Sequence, residues 1–221
     1  HCEGEMGGLS LSYFLYLLQG MGWTVALTLL AFALGGLAGF LVMLARISPV
    51  PAVSRATAAY VQVIQGIPVL VILFIVYFGL GILEIDVPPL VAAGLSLTAY
   101  TSAFLGEIWR GAVEAVPRTQ MEAAECLALT RWQALRDVIL PQAVRIATPP
   151  TVGFLVQVLK STSLASLVGF VELTRAAQVI NNSTFQPFLI FGTAGLMYFV
   201  LCYPLSLWSR TLERRLNVGR R

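Results

Sequence analysis

The sequence predicts an all-α integral membrane protein with five spanning helices and one polar helical insert between the third and the fourth. Three observations carry this. First, the chain of 221 residues is 57% hydrophobic and only 11% charged, with a mean hydropathy of +0.81. Soluble domains carry about 25% charged residues, so these charges are too few for an ordinary water-facing surface. Second, runs long enough to cross a bilayer, which takes about 20 mostly apolar residues, recur along the chain. Residues 6–45, 56–83, 87–106 and 176–209 are uncharged, and 146–171 holds only Lys160. Third, the arginines gather after alternate runs, as they do in a chain threaded back and forth through a membrane.

The elements follow in order. Residues 6–19 contain Ser10, Ser12, Tyr13, Tyr16 and Gln19 and are followed by Gly20 and Gly22. They read as an interfacial helix ahead of the first span, with a sixth span as the alternative. Span one is 21–45. Its Gly35-x-x-x-Gly39 lets another helix come close, within the protomer or across a dimer. Span two is 60–83 and should kink at Pro68. Span three is 88–108, with Glu107 and Arg110 spaced for an i, i+3 ion pair that holds the start of the insert, and with substrate contact by Glu107 as the alternative. The insert is 117–142, span four 146–169 and span five 185–208. The expected organisation is a single transmembrane domain over 1–221. Asn181-Asn182-Ser183-Thr184 reads as an external turn.

Arg46 and Arg55 follow span one, Arg110, Arg118, Arg131, Arg136 and Arg145 follow span three, and Arg210, Arg214, Arg215, Arg220 and Arg221 follow span five. The other side has Arg175 with Glu3, Glu5, Glu84 and Asp86. Basic residues stay on the cytoplasmic side. The N-terminus is therefore expected outside, with the insert and C-terminus in the cytoplasm. The same bias explains the net charge of +3 without invoking nucleic acid. Cys126 is expected in the cytoplasm and Cys202 in a span, so neither reads as a disulfide partner; Cys2 lies in an acidic N-terminal stub. No charged start precedes a short apolar core, so no cleavable signal peptide is visible.

The insert carries two apparent capping boxes, Thr119-x-x-Glu122 and Thr130-x-x-Gln133. They predict helices over about 120–128 and 131–140, the second stopped by Pro141. Trp132, Leu135 and Val138 give the second helix an apolar side; Ala123, Ala124 and Ala128 give the first a small-residue face. Such a hairpin either packs under its own bundle or docks a cytoplasmic partner.

Glu122-Ala123-Ala124, followed by Ile139-Leu140-Pro141, resembles the EAA loop of ABC importer permeases. "EIWRGAV" (107–113), "ILPQAVRIATPP" (139–150), "KSTSLASLVGFVELTRAAQ" (160–178) and "LERRL" (212–216) resemble the polar amino-acid uptake branch of that family, and the likeness runs from about Gly20 to Leu216. The resemblance implies the type I ABC importer permease fold in a bacterial plasma (inner) membrane. It implies a coupling helix that seats on a cytoplasmic ATP-binding subunit dimer through Glu122, Ala123, Ala124, Ala128 and Leu129. It also implies a second permease protomer, identical or similar, and a periplasmic or extracellular substrate-binding protein that delivers an amino acid. ATP and Mg would belong to the partner subunit, with no cofactor on this chain.

Several positions depart from the family pattern. Ala128 stands where glycine is usual, Gln65 where arginine is frequent and Phe104 where tyrosine is. Gly153-Phe154-Leu155 replaces a Gly-Asn-Glu run. Phe154, Leu155, Lys160, Thr162 and Ser163 are the candidates for the substrate path or gate. A carboxylate suited to a cationic substrate is missing, so a neutral or acidic amino acid is expected. Lys160, the only lysine, either attracts a substrate carboxylate or snorkels to the outer interface.

Other chemistries find little support. His1 is the only histidine, no His/Cys cluster suits a metal, and no G-x-x-x-x-G-K-[ST] loop offers an ATPase site. The chain is thus read as a transport subunit without its own enzyme activity. An ion-driven secondary carrier or a passive channel is the alternative.

Overall fold

The computed structural model describes residues 10–218, which form helices joined by short turns. The first, α1 (Leu11–Arg46), is unbroken over 36 residues. At 1.5 Å per residue it extends about 54 Å, well beyond the roughly 30 Å hydrocarbon core of a bilayer. The interfacial helix expected at 6–19 is therefore corrected: residues 11–19 are the first turns of α1 itself, and residues 6–9 lie outside the described residues. Gly20 does not break the helix, because its bare Cα is a packing feature. A Cβ there would stand 2.9 Å from the Cβ of Ala176 and 3.1 Å from the carbonyl oxygen of Glu172.

Helix α4 (Pro89–Glu114) crosses α1 with backbone nearly on backbone. A Cβ on Gly35 would lie 2.5 Å from Thr101 Cβ, and one on Gly39 would lie 3.1 Å from the carbonyl oxygen of Ser102. The Gly35-x-x-x-Gly39 pattern thus closes a contact inside the protomer. Gly106 answers it from α4, where a Cβ would meet Val42 Cγ1 at 2.5 Å and the carbonyl oxygen of Gly39 at 3.1 Å. Gly106→Val should force the helices apart and cost about 1–3 kcal/mol. This is read as a lower unfolding temperature of the purified protein, with Gly111→Val, which meets no neighbour, as the milder control.

The expected kinked span two is a full break. Helices α2 (Pro51–Gly66) and α3 (Val69–Ile82) meet at 99°. Pro68 disfavours helical backbone at the residue before it and cannot donate to the preceding turn. Ile67 accordingly adopts φ −107° and ψ 130°. Of α2 only Val61 is buried, and Tyr60 anchors it through a 2.7 Å hydrogen bond to Ser102 Oγ. Among the described residues, four helices are long and apolar enough to cross a membrane, or five if α2 and α3 count as one broken span.

After the insert, α7 (Leu140–Ser161) runs into a 3₁₀ segment, Thr162–Val168, that ends at Gly169 with φ +88°. Helix α8 (Leu173–Thr184) follows, then α9 (Pro187–Val218). The expected turn at 181–184 is the last turn of α8; the chain reverses one residue later at Phe185, φ +52°.

Two apolar clusters hold the bundle. Leu27, Leu73, Leu97, Leu105, Phe154 and Val158 join α1, α3, α4 and α7. Leu17, Leu173, Ala177, Ile190 and Met197 join α1, α8 and α9. Beside the second lies Glu172, fully buried at the start of α8. Its carboxylate accepts the N–H groups of Thr174 and Arg175, both at 2.9 Å, and the hydroxyl of Tyr198 at 2.6 Å. Outside, Leu37, Ile75, Phe188 and Leu196 expose more than half of their surface. Large apolar side chains spread over whole helix faces suit lipid or partner helices, not water.

Candidate functional site

The insert begins at helix α5 (Arg118–Cys126), whose N-terminal cap is Pro117 and carries no side-chain hydrogen bond. The Thr119 capping box is therefore not formed. The helix has already started at Arg118, which leaves Thr119 inside the first turn. Helix α5 ends earlier than the expected Ala128. The Leu129 N–H donates to the Ala124 carbonyl at 3.1 Å and the Ala128 N–H to the Glu125 carbonyl at 2.9 Å. These are the two bonds of a Schellman cap, and Ala128 holds its left-handed position with φ +54°. Ala128 thus terminates the helix instead of extending its small-residue face.

An L-residue in that conformation costs about 1 kcal/mol that glycine does not. Ala128→Gly should therefore stabilise the hairpin by about 1 kcal/mol, measurable as slower amide exchange at Ala128 and Leu129. Unchanged or faster exchange would contradict the strain.

The second box forms as expected. Thr130 Oγ1 accepts the Gln133 N–H at 3.3 Å, and Gln133 Oε1 accepts the Thr130 N–H at 2.9 Å. Helix α6 (Arg131–Gln133) then widens into a π-helical stretch, Ala134–Ile139, that leads straight into α7. Pro141 does not stop the chain as expected. A π turn uses i to i+5 bonding and lets the helix carry on past a residue that cannot donate. The second half of the insert is thereby a direct extension of the spanning helix α7.

The extra residue also shifts the faces. Leu135 and Val138 pack with Met121 around Val116, Ile139 and Ala143, whereas Trp132 remains 58% exposed. Ala124 is buried and Leu129 half-buried; Glu122, Ala123, Cys126 and Leu127 lie together on the open side of α5. They give α5 a mixed apolar and acidic open face, on a hairpin braced by its own core. At its root Arg110 bonds both Glu107 and Glu114, and Arg46 Nε approaches Glu107 Oε2 at 3.5 Å. The Glu107–Arg110 pair is thus part of a chain of charges that ties the end of α1 to the end of α4. Trp109 Nε1 donates to Thr151 Oγ1 at 2.9 Å and links α4 to α7.

Along α7 the candidates separate. Phe154 is buried, stacked on Phe104 with centroids 5.3 Å apart and beside Tyr100 at 5.7 Å. It packs in the α4–α7 core. Thr162 is also fully buried and donates to the Leu159 carbonyl at 2.7 Å. Leu155 and Ser163 are half-buried, and Ser163 donates to the Lys160 carbonyl. Lys160 is exposed, one residue from the end of α7. Counted from Leu140 it stands about 30 Å along the helix, at its far end. The open stripe of α7 is Pro150, Gly153, Gln157 and Lys160. Gln157 was not anticipated, although its spacing from Gly153 and Lys160 is helical.

A helical bundle with large apolar side chains over its exterior, a braced polar hairpin and one open stripe on a long apolar helix is the architecture of a multi-pass membrane protein. The family profile described as "Binding-protein-dependent transport system inner membrane component" matches residues 31–218, and the chain belongs to that family. Among its relatives, the probable amino-acid ABC transporter permease protein YckA of Bacillus subtilis is 32% identical, over 94% of this chain and 92% of its own. The L-cystine transport system permease protein TcyB of Bacillus subtilis is 34% identical over 93% and 88%. Among solved structures, a crystal structure of an amino acid ABC transporter with histidines matches with a TM-score of 0.88 at 32% identity, over 95% of this chain and 100% of its own.

Proposed function

We propose that this chain is one permease protomer of an ATP-driven amino-acid importer, with the hairpin in the cytoplasm as its coupling element. The observation that carries the proposal is the continuity of α6, the π stretch and α7. Force applied at Glu122, Ala123 and Leu127 passes from α5 through the packing of Met121 on Leu135 and Val138 into that rod, and along it to the stripe of Gln157 and Lys160. Ala124, Ala128 and Leu129 set the shape of the docking helix. The motor is a dimer of ATP-binding subunits that carries the ATP and Mg. A second permease protomer faces the stripe, and a binding protein delivers substrate from outside. The arginine bias supports a cytoplasmic hairpin and C-terminus.

The transported substrate is a neutral or acidic amino acid. The open stripe of α7 carries an amide and a cation but no carboxylate. A cationic side chain would leave its charge unpaired there, whereas Lys160 suits a carboxylate. Leu155 and Ser163 flank that stripe, and Phe154 and Thr162 stiffen the helix behind it. The test is uptake by the reconstituted complex, with its ATP-binding subunit and binding protein, of labelled glutamine, glutamate and arginine. Glutamine or glutamate should accumulate only with ATP. Preferred uptake of arginine would overturn the substrate class, and uptake without the ATPase would overturn the mechanism.

A further inference from the structure

The break between α2 and α3 places polar backbone inside an oily molecule. Pro68 caps α3 without a side-chain hydrogen bond, and its carbonyl accepts the N–H groups of Val71 and Ile72 at 2.9 and 3.2 Å. The two N–H groups before them, those of Val69 and Leu70, find no acceptor among the described residues. Both residues are half-buried. The first N–H groups of any helix lack an intrahelical partner, and hydrocarbon supplies none.

Beside this helix start lies a cavity of about 10 Å³, enclosed by α3, α4 and the junction of α7 with the 3₁₀ segment. Its wall brings Val69 together with Ser96 of α4 and Ser161 of α7. Ser96 is 1% exposed and Ser161 7%. Each hydroxyl donates to the carbonyl one turn back, Ser96 to Ala92 at 2.7 Å and Ser161 to Gln157 at 2.9 Å. Their protons are therefore committed, while each oxygen keeps a lone pair to accept with. The rest of the wall, which includes Leu73, Ala93 and Leu97, is apolar.

This set of groups selects its occupant. A water takes about 10–15 Å³ and two to four polar partners. An anion would face two oxygens that have no proton to give it. A hard cation would face an N–H group and only two side-chain oxygens, short of the roughly six to eight it takes. A water has two protons for the two serine oxygens and lone pairs for a backbone donor. We propose that one structural water occupies this cavity, donates to Ser96 Oγ and Ser161 Oγ, and accepts the Val69 N–H. It caps the start of α3 and ties it to α4 and α7. Because Ser161 follows Lys160, the same water fixes the end of the open stripe against the helix break.

The experiment uses the full chain in lipid bilayers with isotope-labelled valine and leucine, and reads magnetisation transfer from water to each amide. The Val69 amide should receive it, and the Ser96→Ala/Ser161→Ala double variant should lose it. In detergent, Ser96→Ala and Ser161→Ala should each lower the unfolding temperature by about 2–4 °C. The double variant should lose no more than either single one, because each change releases the same water. Ser206→Ala removes a hydroxyl that donates to the Cys202 carbonyl in the same manner but lies away from the cavity, and should be near neutral. No transfer to Val69 in the unaltered chain, undiminished transfer in the double variant, or additive losses of unfolding temperature would each overturn the site.

Discussion

Ala123→Asp is expected to abolish ATP-driven uptake, by at least about 100-fold, while the protomer stays folded. Ala123 is exposed on α5 and carries no load within the chain. The substitution costs the helix only about 0.5 kcal/mol in propensity. On the proposed coupling role, the same position is pressed against the motor subunit in the assembled importer. A carboxylate buried there without a partner loses its hydration, a penalty of several kcal/mol that translates into a hundredfold or more in association. Glu122 beside it adds like-charge repulsion. The check is substrate-stimulated ATP hydrolysis and uptake by the reconstituted complex, together with the unfolding temperature of the isolated variant. Normal uptake would remove α5 from the coupling path. Lost uptake with a much lower unfolding temperature would show that Ala123 is structural.

Glu172→Ala should produce the largest loss of stability, about 3–5 kcal/mol. The side chain is fully buried and receives two backbone N–H groups and the Tyr198 hydroxyl. Truncation leaves the Thr174 and Arg175 N–H groups without their acceptor, leaves the Tyr198 hydroxyl only Thr174 Oγ1, and removes the cap of α8. Folded proteins have about 5–15 kcal/mol in total, so the loss is a large share. Glu172→Gln keeps an acceptor and the shape and should cost about 1–2 kcal/mol. Heat-induced loss of the monodisperse protein in detergent ranks the variants. Equal unfolding temperatures for Glu172→Ala and the unaltered chain would contradict the network.

What was legible in the sequence was what local chemistry determines. Thr130-x-x-Gln133 announces a capping box because its partners are three residues apart, and the structure forms it. Pro68 announces a break, but its 99° angle depends on where α2 and α3 find packing partners. Thr119-x-x-Glu122 has the same local pattern as the working box, yet the turn after Val116 starts the helix at Arg118. Pro141 should end a helix, and the π stretch that admits it depends on the hairpin core around Ile139 and Ala143.

The substrate face was less legible. Phe154 and Gln157 are separated by less than one turn of one helix, and only the position of α4 decides which of them is buried. Glu172 was missed because glutamate is an uncommon cap and its partner Tyr198 lies on α9, 26 residues away in sequence. Ala128 hid a left-handed cap because alanine carries no signal for one.

A hairpin that faces the cytoplasm and seats on the ATP-binding subunit is the feature most directly open to test. Cys126, exposed on α5, is a natural reporter, since Cys202 is buried and Cys2 is removed by Cys2→Ser. A membrane-impermeant maleimide should label Cys126 in inside-out vesicles and not in intact cells, and added ATP-binding subunit should protect it. Labelling of Cys126 in intact cells, or labelling in inside-out vesicles that the bound subunit does not slow, would contradict the account.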